Sequence, residues 1–318
     1  MVGKVTPDNI ATGSTIAAIM GHSKYQTPLE AYMNAVNGRP EWEQNLPAKI
    51  GDFMEDFVLT ESAEVIGLSS IDLDHPEPYF LDHMNADGAE QILAVSLDGM
   101  AEGTGITLYD NPEKGIYIIS ADDSITLDGP GVLEAKTTRA APVDVPPLYR
   151  GPLQLQAQML CTGAKWGAVC TLYQGSELRI YVYKANPEMQ QLIIKSAQDF
   201  KRRVEEQDPY PALSSTEAAE KYPASDGPKK VIDADETLQE KVHQLAHIRS
   251  ELKAYEKLAE DLQIDIMEMM QDADECVAGT YRVVWPVRNI KAKPEQTKTI
   301  PAVEAQRVRG KTLQIKEQ

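Results

Sequence analysis

The chain has 318 residues, a 42% apolar fraction and a formal charge of −18. That length supports one large core or a core with an appendage, and the acidity argues against broad non-specific adhesion to nucleic acid. The charge is uneven: residues 279–318 carry nine Lys/Arg and three Glu, a net of +6, so residues 1–278 hold 22 Lys/Arg and 46 Asp/Glu, a net of −24.

Three cysteines, Cys161, Cys170 and Cys276, give no CxxC and no paired framework, which fits a reduced, intracellular protein. The N-terminal MVGKVTPDNIATG lacks a signal-peptide core and no apolar stretch approaches a membrane span. A soluble cytoplasmic protein is expected.

The first helical signal is STIAAIMG, with Ile16, Ile19 and Met20 at helical spacing and Ser14 as the expected N-cap. TPLEAYMNAVNG follows, with Pro28 in the first turn and Gly38 beyond the last. Residues 47–66 read as a third helix whose apolar face is Ile50, Phe53, Met54, Phe57, Val58 and Ala63, with Glu55 among them. The period then changes. QILAVSLDGMAEG, GIYIISADDSITLDG and GVLEAKTT are short runs broken by Gly or Asp, the pattern of strands and turns. Helical spacing returns over residues 152–163, PLQLQAQMLCTG. Two strands, WGAVCTLYQ and ELRIYVYKA, follow around a turn at Gln174–Gly175–Ser176. This order predicts an α/β or α+β core of about 200 residues.

A helix over 187–206 ends the expected core at residue 206, and residues 207–235 have the composition of a linker. From Glu236 to Met270 the apolar positions Leu238, Val242, Leu245, Ile248, Leu252, Tyr255, Ala259, Leu262, Ile266 and Met269 form a nearly heptad seam. This predicts a long helical segment over 236–278. It would lie on the core, pair with the 187–206 helix or meet another subunit. Residues 279–318 form a basic tail in which TYRVVWPVRNIKA and RVRGKTLQIKE have strand character and are expected to pair as a small hairpin.

The chemistry gathers around GVLEAKTT. Positions i and i+2 of a strand share a face, so Glu134 and Lys136 point one way while Leu133 and Ala135 point the other. Asp98 ends the apolar run ILAVSL and would stand beside Glu134 if the intervening strands meander. Two carboxylates held close raise one pKa, and a hard divalent cation, Mg²⁺ or Mn²⁺, relieves that repulsion. The backbone carbonyl of Ala135 is a further candidate oxygen. Glu55, in IGDFMED, is a carboxylate set among apolar residues, where unpaired charge is costly. Beside such a site the ammonium of Lys136 can hold a water or neutralise charge on a phosphate. Gln154 and Gln156 follow on the next helix, able to orient a water or bond a phosphate. No GxGxxG, GxxxxGK[ST] or GxSxG motif is present in a suitable context, which disfavours Rossmann, P-loop and serine-hydrolase chemistry.

Five motifs occur in order: GS at 13–14 with the His22–Tyr25 and TP 27–28 stretch, G-x-x-x-E at 51–55, DG at 98–99, LEAKTT at 133–138 and QLQAQMLCTG at 154–163. Together they resemble the YqaJ-type viral recombinase family, a branch of the PD-(D/E)xK nucleases related to phage lambda-type exonucleases. The resemblance covers residues 10 to 200. It implies a restriction-endonuclease-like core with a central mixed sheet flanked by helices. It implies that Asp98 and Glu134 hold Mg²⁺ with help from Glu55, that Lys136 is the catalytic lysine and that Gln154, with Gln156 next, is the helix glutamine. Ser14 and Tyr25 would border the DNA path, and Thr137 and Thr138 are candidate phosphate contacts.

The implied activity is metal-dependent phosphodiester hydrolysis at duplex DNA ends, 5′ to 3′, serving a single-strand annealing recombinase. An endonuclease of the same chemistry and a non-catalytic DNA-binding protein are the alternatives. Lambda-type relatives form trimers, so a homo-oligomer is expected. Many relatives carry His–Tyr after the QxQ pair, where this chain has Ala157–Gln158. The basic tail, through Arg282, Arg288, Lys291, Arg307, Arg309 and Lys311, is a candidate for contact with the phosphate backbone.

Overall fold

A computed structural model of the protein describes residues 6–7, 9–38, 45–85, 88–120, 122–223 and 236–286. The chain divides into two compact units, residues 1–213 and 214–318.

The first unit begins with a short strand β1 (Ala11–Thr12) and a single helical turn α1 (Ile16–Ile19). Thr15, not Ser14, is the N-cap of α1, because the Thr12 and Thr15 hydroxyls bond each other at 2.9 Å and close the turn one residue later. Helix α2 (Pro28–Asn37) follows the expected pattern. Thr27 and Glu30 form a reciprocal capping box, and Gly38 ends the helix at φ 82°. Helix α3 (Leu46–Ile66) is capped by Asn45 and stopped by Gly67 in the left-handed region.

Strands β2 (Ile71–Asp72), β3 (Tyr79–Asn85), β4 (Gly88–Val95), β5 (Gly99–Tyr109), β6 (Ile116–Ile119) and β7 (Ser124–Thr138) come next. They are followed by helix α4 (Pro152–Thr162), strands β8 (Trp166–Tyr173) and β9 (Glu177–Lys184), and helix α5 (Pro187–Glu206). The main sheet is mixed and six-stranded, in the order β2-β5-β7-β8-β9-β6, while β1, β4 and β3 form a separate three-stranded sheet. The β8–β9 hairpin turns at Gln174 (φ 52°) and Gly175 (φ 76°), the paired left-handed conformation whose twist suits a tight hairpin.

Strand β7 organises the sheet. Ser124–Leu133 pairs antiparallel with β5, and Gly131–Thr138 pairs parallel with β8. Its alternating side chains reach two cores. Leu133 joins Val58, Leu59, Ala63 and Ile66 of α3 together with Trp166, Ala168 and Cys170. Val132 faces the other core, with Leu153, Leu155, Val169, Tyr181 and residues of α5. Trp166 is 1% exposed and its Nε1 donates to Gly129 O at 3.0 Å. Its ring lies where a Cβ on Gly131 would stand, 2.1 Å from Cε2, so the crossing needs a glycine there.

The apolar face of α3 differs from expectation. Its buried residues are Val58, Leu59, Ser62, Ala63 and Ile66, whereas Ile50, Phe53 and Phe57 are exposed, Phe53 to 84%. The buried residues recur at steps of three and four, and Glu55 begins that row. Contact with the sheet sets the inward face, and the two phenylalanines fall outside it.

In the second unit, α6 (Ser215–Lys221) lies within the span expected to be a linker, with Ser214 capping Glu217 N at 3.1 Å. Helix α7 runs Glu236–Met270, the extent of the apolar seam, and stops short of the expected 278 because Glu275–Ala278 is drawn into a strand. A small hairpin follows, but its strands are β10 (Glu275–Ala278) and β11 (Tyr281–Val284), turning at Gly279 (φ 62°). The strand facing TYRVV is thus ECVA, and the expected partner RVRGKTLQIKE lies outside the described residues. Val283, Val284 and Trp285 line a groove with Leu262, Ile266 and Met270 of α7. No helix of the described residues is long and apolar enough to cross a membrane.

Candidate active site

The candidate site lies where β7 outruns its neighbour. Pairing with β5 stops at Leu133–Gly99, so the β5 edge of β7 has no strand partner from Glu134 onward. Asp98, immediately before β5, fills that place: its Oδ2 accepts from Ala135 N at 3.0 Å. The N–H and C=O of one residue in an extended strand point to the same edge, so the Ala135 carbonyl is directed toward the Asp98 side.

Glu134 and Lys136 project from β7 on the same face as Val132, toward α4. Glu134 is fully buried, and Lys136 keeps about a third of its side chain exposed. Lys136 Nζ donates to Glu134 Oε1 and, at 3.2 Å, to Gln154 Oε1. Burial pushes the Glu134 carboxyl up, and the neighbouring Asp98 adds to it. Lys136 and Gln158 pull it back, leaving it at about 7. For Lys136, burial favours the neutral amine, but Glu134, Asp98 and Glu55 outweigh it and hold the ammonium above its ordinary range. Lys136 is therefore a cation and hydrogen-bond donor at neutral pH, not a base.

The three glutamines of α4 separate by helical phase. Residues i and i+4 share a face, whereas i+2 points nearly opposite. Gln154 and Gln158 accordingly both reach the β7 pair, Gln154 through Lys136 and Gln158 through Glu134. Gln158 is fully buried; its Nε2 donates to Glu134 Oε2 at 2.5 Å and to Ser96 O at 2.9 Å. Gln156 faces away. Its amide donates to Lys184 O and accepts from Asn186 N, both at 2.9 Å, which ties α4 to the β9–α5 connection. The expectation that Gln156 shares the site is thus corrected in favour of Gln158. The signal that could have found it was the i, i+4 spacing from Gln154.

The remaining expected residues distribute unevenly. Glu55 is half-buried and close enough to act on the charge of Lys136, but it comes from α3, which packs on the opposite face of the sheet. Thr137 faces α3 as well: a Cβ on Gly51 would sit 3.5 Å from its Oγ1. Thr138 closes the strand, its Oγ1 accepting from Ala140 N at 3.2 Å. Ser14 is exposed and bonds Thr12 Oγ1 at 3.1 Å, on a turn whose Gly13 lies against Gln154. Tyr25 is 71% exposed and its hydroxyl accepts from Arg150 Nη2 at 3.3 Å. In the second unit, Arg282 grips Glu275 with two bonds of 2.8 and 2.6 Å across the hairpin. Arg288, Lys291, Arg307, Arg309 and Lys311 lie outside the described residues.

Among the described residues no group of three or more His, Cys, Asp or Glu side chains stands ready to hold a metal ion. What remains is a hard-oxygen set: the Asp98 and Glu134 carboxylates and the Ala135 carbonyl. This suits Mg²⁺, which is commonly bound through one or two carboxylates and keeps much of its water. The Gln158 Oε1, buried without a hydrogen-bond partner, is an acceptor left over beside Glu134. A hydrated cation would supply the donor it lacks.

A long strand carrying buried Glu134 and Lys136, a second carboxylate at the mouth of the adjoining strand and helices on both sheet faces give the restriction-endonuclease-like arrangement that the motifs lead one to expect. No family model matches the chain. The kinship narrows with one curated relative, the uncharacterized protein YqaJ of Bacillus subtilis (strain 168), which is 25% identical over 288 residues, covering 86% of this chain and 79% of that one. The YqaJ-type resemblance carried by the five motifs is thereby borne out. More remote likenesses include an alkaline exonuclease, LHK-Exo, from Laribacter hongkongensis (15% identity, 63% of this chain and 90% of that one, TM-score 0.41). Another is a phage-related exonuclease from Haemophilus somnus 129PT (10% identity, 62% and 96%, TM-score 0.38).

Proposed function

We propose that the protein is a Mg²⁺-dependent deoxyribonuclease that degrades linear double-stranded DNA from its ends. The observation that carries this reading is the position of Lys136, whose ammonium is shared between Glu134 and Gln154 while Asp98 occupies the open edge of β7. A surface ion pair would not be built this way, because burying Glu134 beside Asp98 costs stability that Lys136 and Gln158 offset only in part.

In this reading Asp98 and Glu134 are the metal-holding carboxylates, with the Ala135 carbonyl as a third oxygen and Glu55 contributing negative charge from the other face. When bound, Mg²⁺ would polarise the scissile phosphate and stabilise the leaving 3′ oxygen. Lys136, fixed as a cation, donates to the attacking water and aligns it in line with the P–O3′ bond. Gln154 holds the Lys136 ammonium in that direction, and Gln158 holds Glu134. Thr137 and Thr138 end the strand on which these groups stand and are secondary candidates for phosphate contact. Ser14 and Tyr25 would border the DNA path, as the resemblance implies.

The 5′ to 3′ direction and a single-strand annealing partner follow from the YqaJ-type resemblance, a trimeric assembly from its lambda-type relatives and a cytoplasmic setting from the cysteine usage, and together they complete the proposal. Backbone contact by the basic tail is part of it too, through its residues beyond Arg282, whose own charge is engaged by Glu275. The test is a substrate comparison. With Mg²⁺, linear duplex should be degraded to nucleotides and closed circular duplex should survive. Nicking or linearisation of the circle would instead make the protein an endonuclease.

A further inference from the structure

Outside the carboxylate site, one surface cluster has a composition that charge balance does not explain. Tyr25 and Tyr149 meet edge to face with ring centroids 5.6 Å apart and planes at 77°. Lys24 Nζ stands 5.7 Å from the Tyr25 centroid and 5.3 Å from that of Tyr149. The Arg150 guanidinium lies 5.9 Å from the Tyr149 centroid and donates to Tyr25 Oη at 3.3 Å. Neither cation pairs with a carboxylate among the described residues, in a chain with 49 acids to 31 bases. Several other cations of this unit are neutralised at close range, as Arg202 and Arg203 are by Asp199. The cluster is adjacent to the candidate site through the chain: Arg150 leads directly into α4, whose first turn carries Gln154.

We propose that Lys24, Tyr25, Tyr149 and Arg150 form a stacking site for an unpaired nucleotide at the end of the DNA substrate. This rests on DNA being the substrate, and it specifies the form of the end that is preferred. Tyr149 braces Tyr25 through their edge-to-face contact, and the Tyr25 ring, 71% exposed, is open to a ligand. A base inside a duplex is stacked on both faces, so only an unpaired or frayed base can use that ring. The two unpaired cations flank the ring where the phosphates of the same strand would run, the combination of π-surface and positive charge that single-stranded nucleic acid requires.

The experiment uses the full chain in EDTA, so that binding is measured without hydrolysis. Fluorescein-labelled blunt duplex is compared by anisotropy with the same duplex carrying a short unpaired tail with 2-aminopurine at its tip. The tailed duplex is expected to bind more tightly, with the 2-aminopurine quenched on binding. Tyr25→Ala should weaken tailed binding roughly 10-fold, leave blunt binding within about twofold and abolish the quench, whereas Tyr25→Trp should retain all three. Equal loss on both duplexes would overturn the proposal by reducing the cluster to a general phosphate contact, and no loss on either would overturn it as well. If the tail preference is found but the wild type shows no Mg²⁺-dependent hydrolysis, the nuclease reading fails and the stacking site stands. If the wild type binds neither duplex, the stacking site falls, and the nuclease reading falls with it only where Mg²⁺-dependent hydrolysis is absent too.

Discussion

Replacing Gln158 by methionine should separate folding from metal binding. The substitution keeps the volume and removes both donors. The bond to the Glu134 carboxylate contributes about 1.5–3 kcal/mol and the bond to Ser96 O about 1 kcal/mol. Against this, the unpartnered Gln158 Oε1 disappears, returning about 1–3 kcal/mol of desolvation. The net loss is centred on about 1 kcal/mol and is at most about 3 kcal/mol, and each kcal/mol lowers Tm by about 2–4 °C for a unit of this size. The effect on metal should be larger. Without Gln158, Glu134 keeps the bond to Lys136 but loses the one that fixes its second oxygen, and is free to turn. Loss of a group that orients a metal ligand costs about 10–100-fold in affinity. The assay is a Mn²⁺ titration followed by electron paramagnetic resonance, with thermal melts in EDTA alongside. Unchanged Mn²⁺ affinity in a folded Gln158→Met protein would refute the reasoning.

Three further outcomes are expected. Gly131→Ala should destabilise the protein by about 3 kcal/mol in urea denaturation, because the new Cβ would stand 2.1 Å from the Trp166 ring. Thr27→Ala should cost about 1 kcal/mol in the same assay by opening the capping box of α2. Mn²⁺ affinity should rise with pH. The Glu134 pKa, raised to about 7, means that without metal the folded state holds this proton more tightly than the unfolded chain; that stabilisation is complete below the unfolded value and is lost as pH rises through 7. Metal requires the carboxylate, so calorimetric affinity should fall about 10-fold from pH 8 to pH 6, with proton release on binding. A flat profile would mean that Glu134 is already ionised or is not a ligand.

The i, i+2 rule placed Glu134 and Lys136 on one face from eight letters, and Asp98 was legible as the acid ending the apolar run beside them. The register that brings Asp98 onto Ala135 N was not, since it depends on where β5 stops pairing with β7. Helices α2, α5 and α7 could be read from caps and spacing because their signals are local. The inward face of α3 could not: phenylalanines at 53 and 57 outrank Ser62 on any hydrophobicity scale, but contact with the sheet buries Ser62 and leaves them outside. The same limit affected Glu55, whose helix was recognised while the sheet face it approaches was not. In α4 the three glutamines were indistinguishable by type, and only the geometry facing β7 separated Gln154 and Gln158 from Gln156.

Acid-soluble nucleotide release from linear duplex, measured for the wild type and Lys136→Ala in Mg²⁺ and in EDTA, tests the central claim most directly. Lys136 is partly exposed and its removal leaves Gln158 on Glu134, so the variant should fold. The account predicts Mg²⁺-dependent release by the wild type, none in EDTA, and a loss of about 1,000-fold or more in the variant. Release at the wild-type rate by a folded Lys136→Ala protein, or release that persists in EDTA, would contradict it.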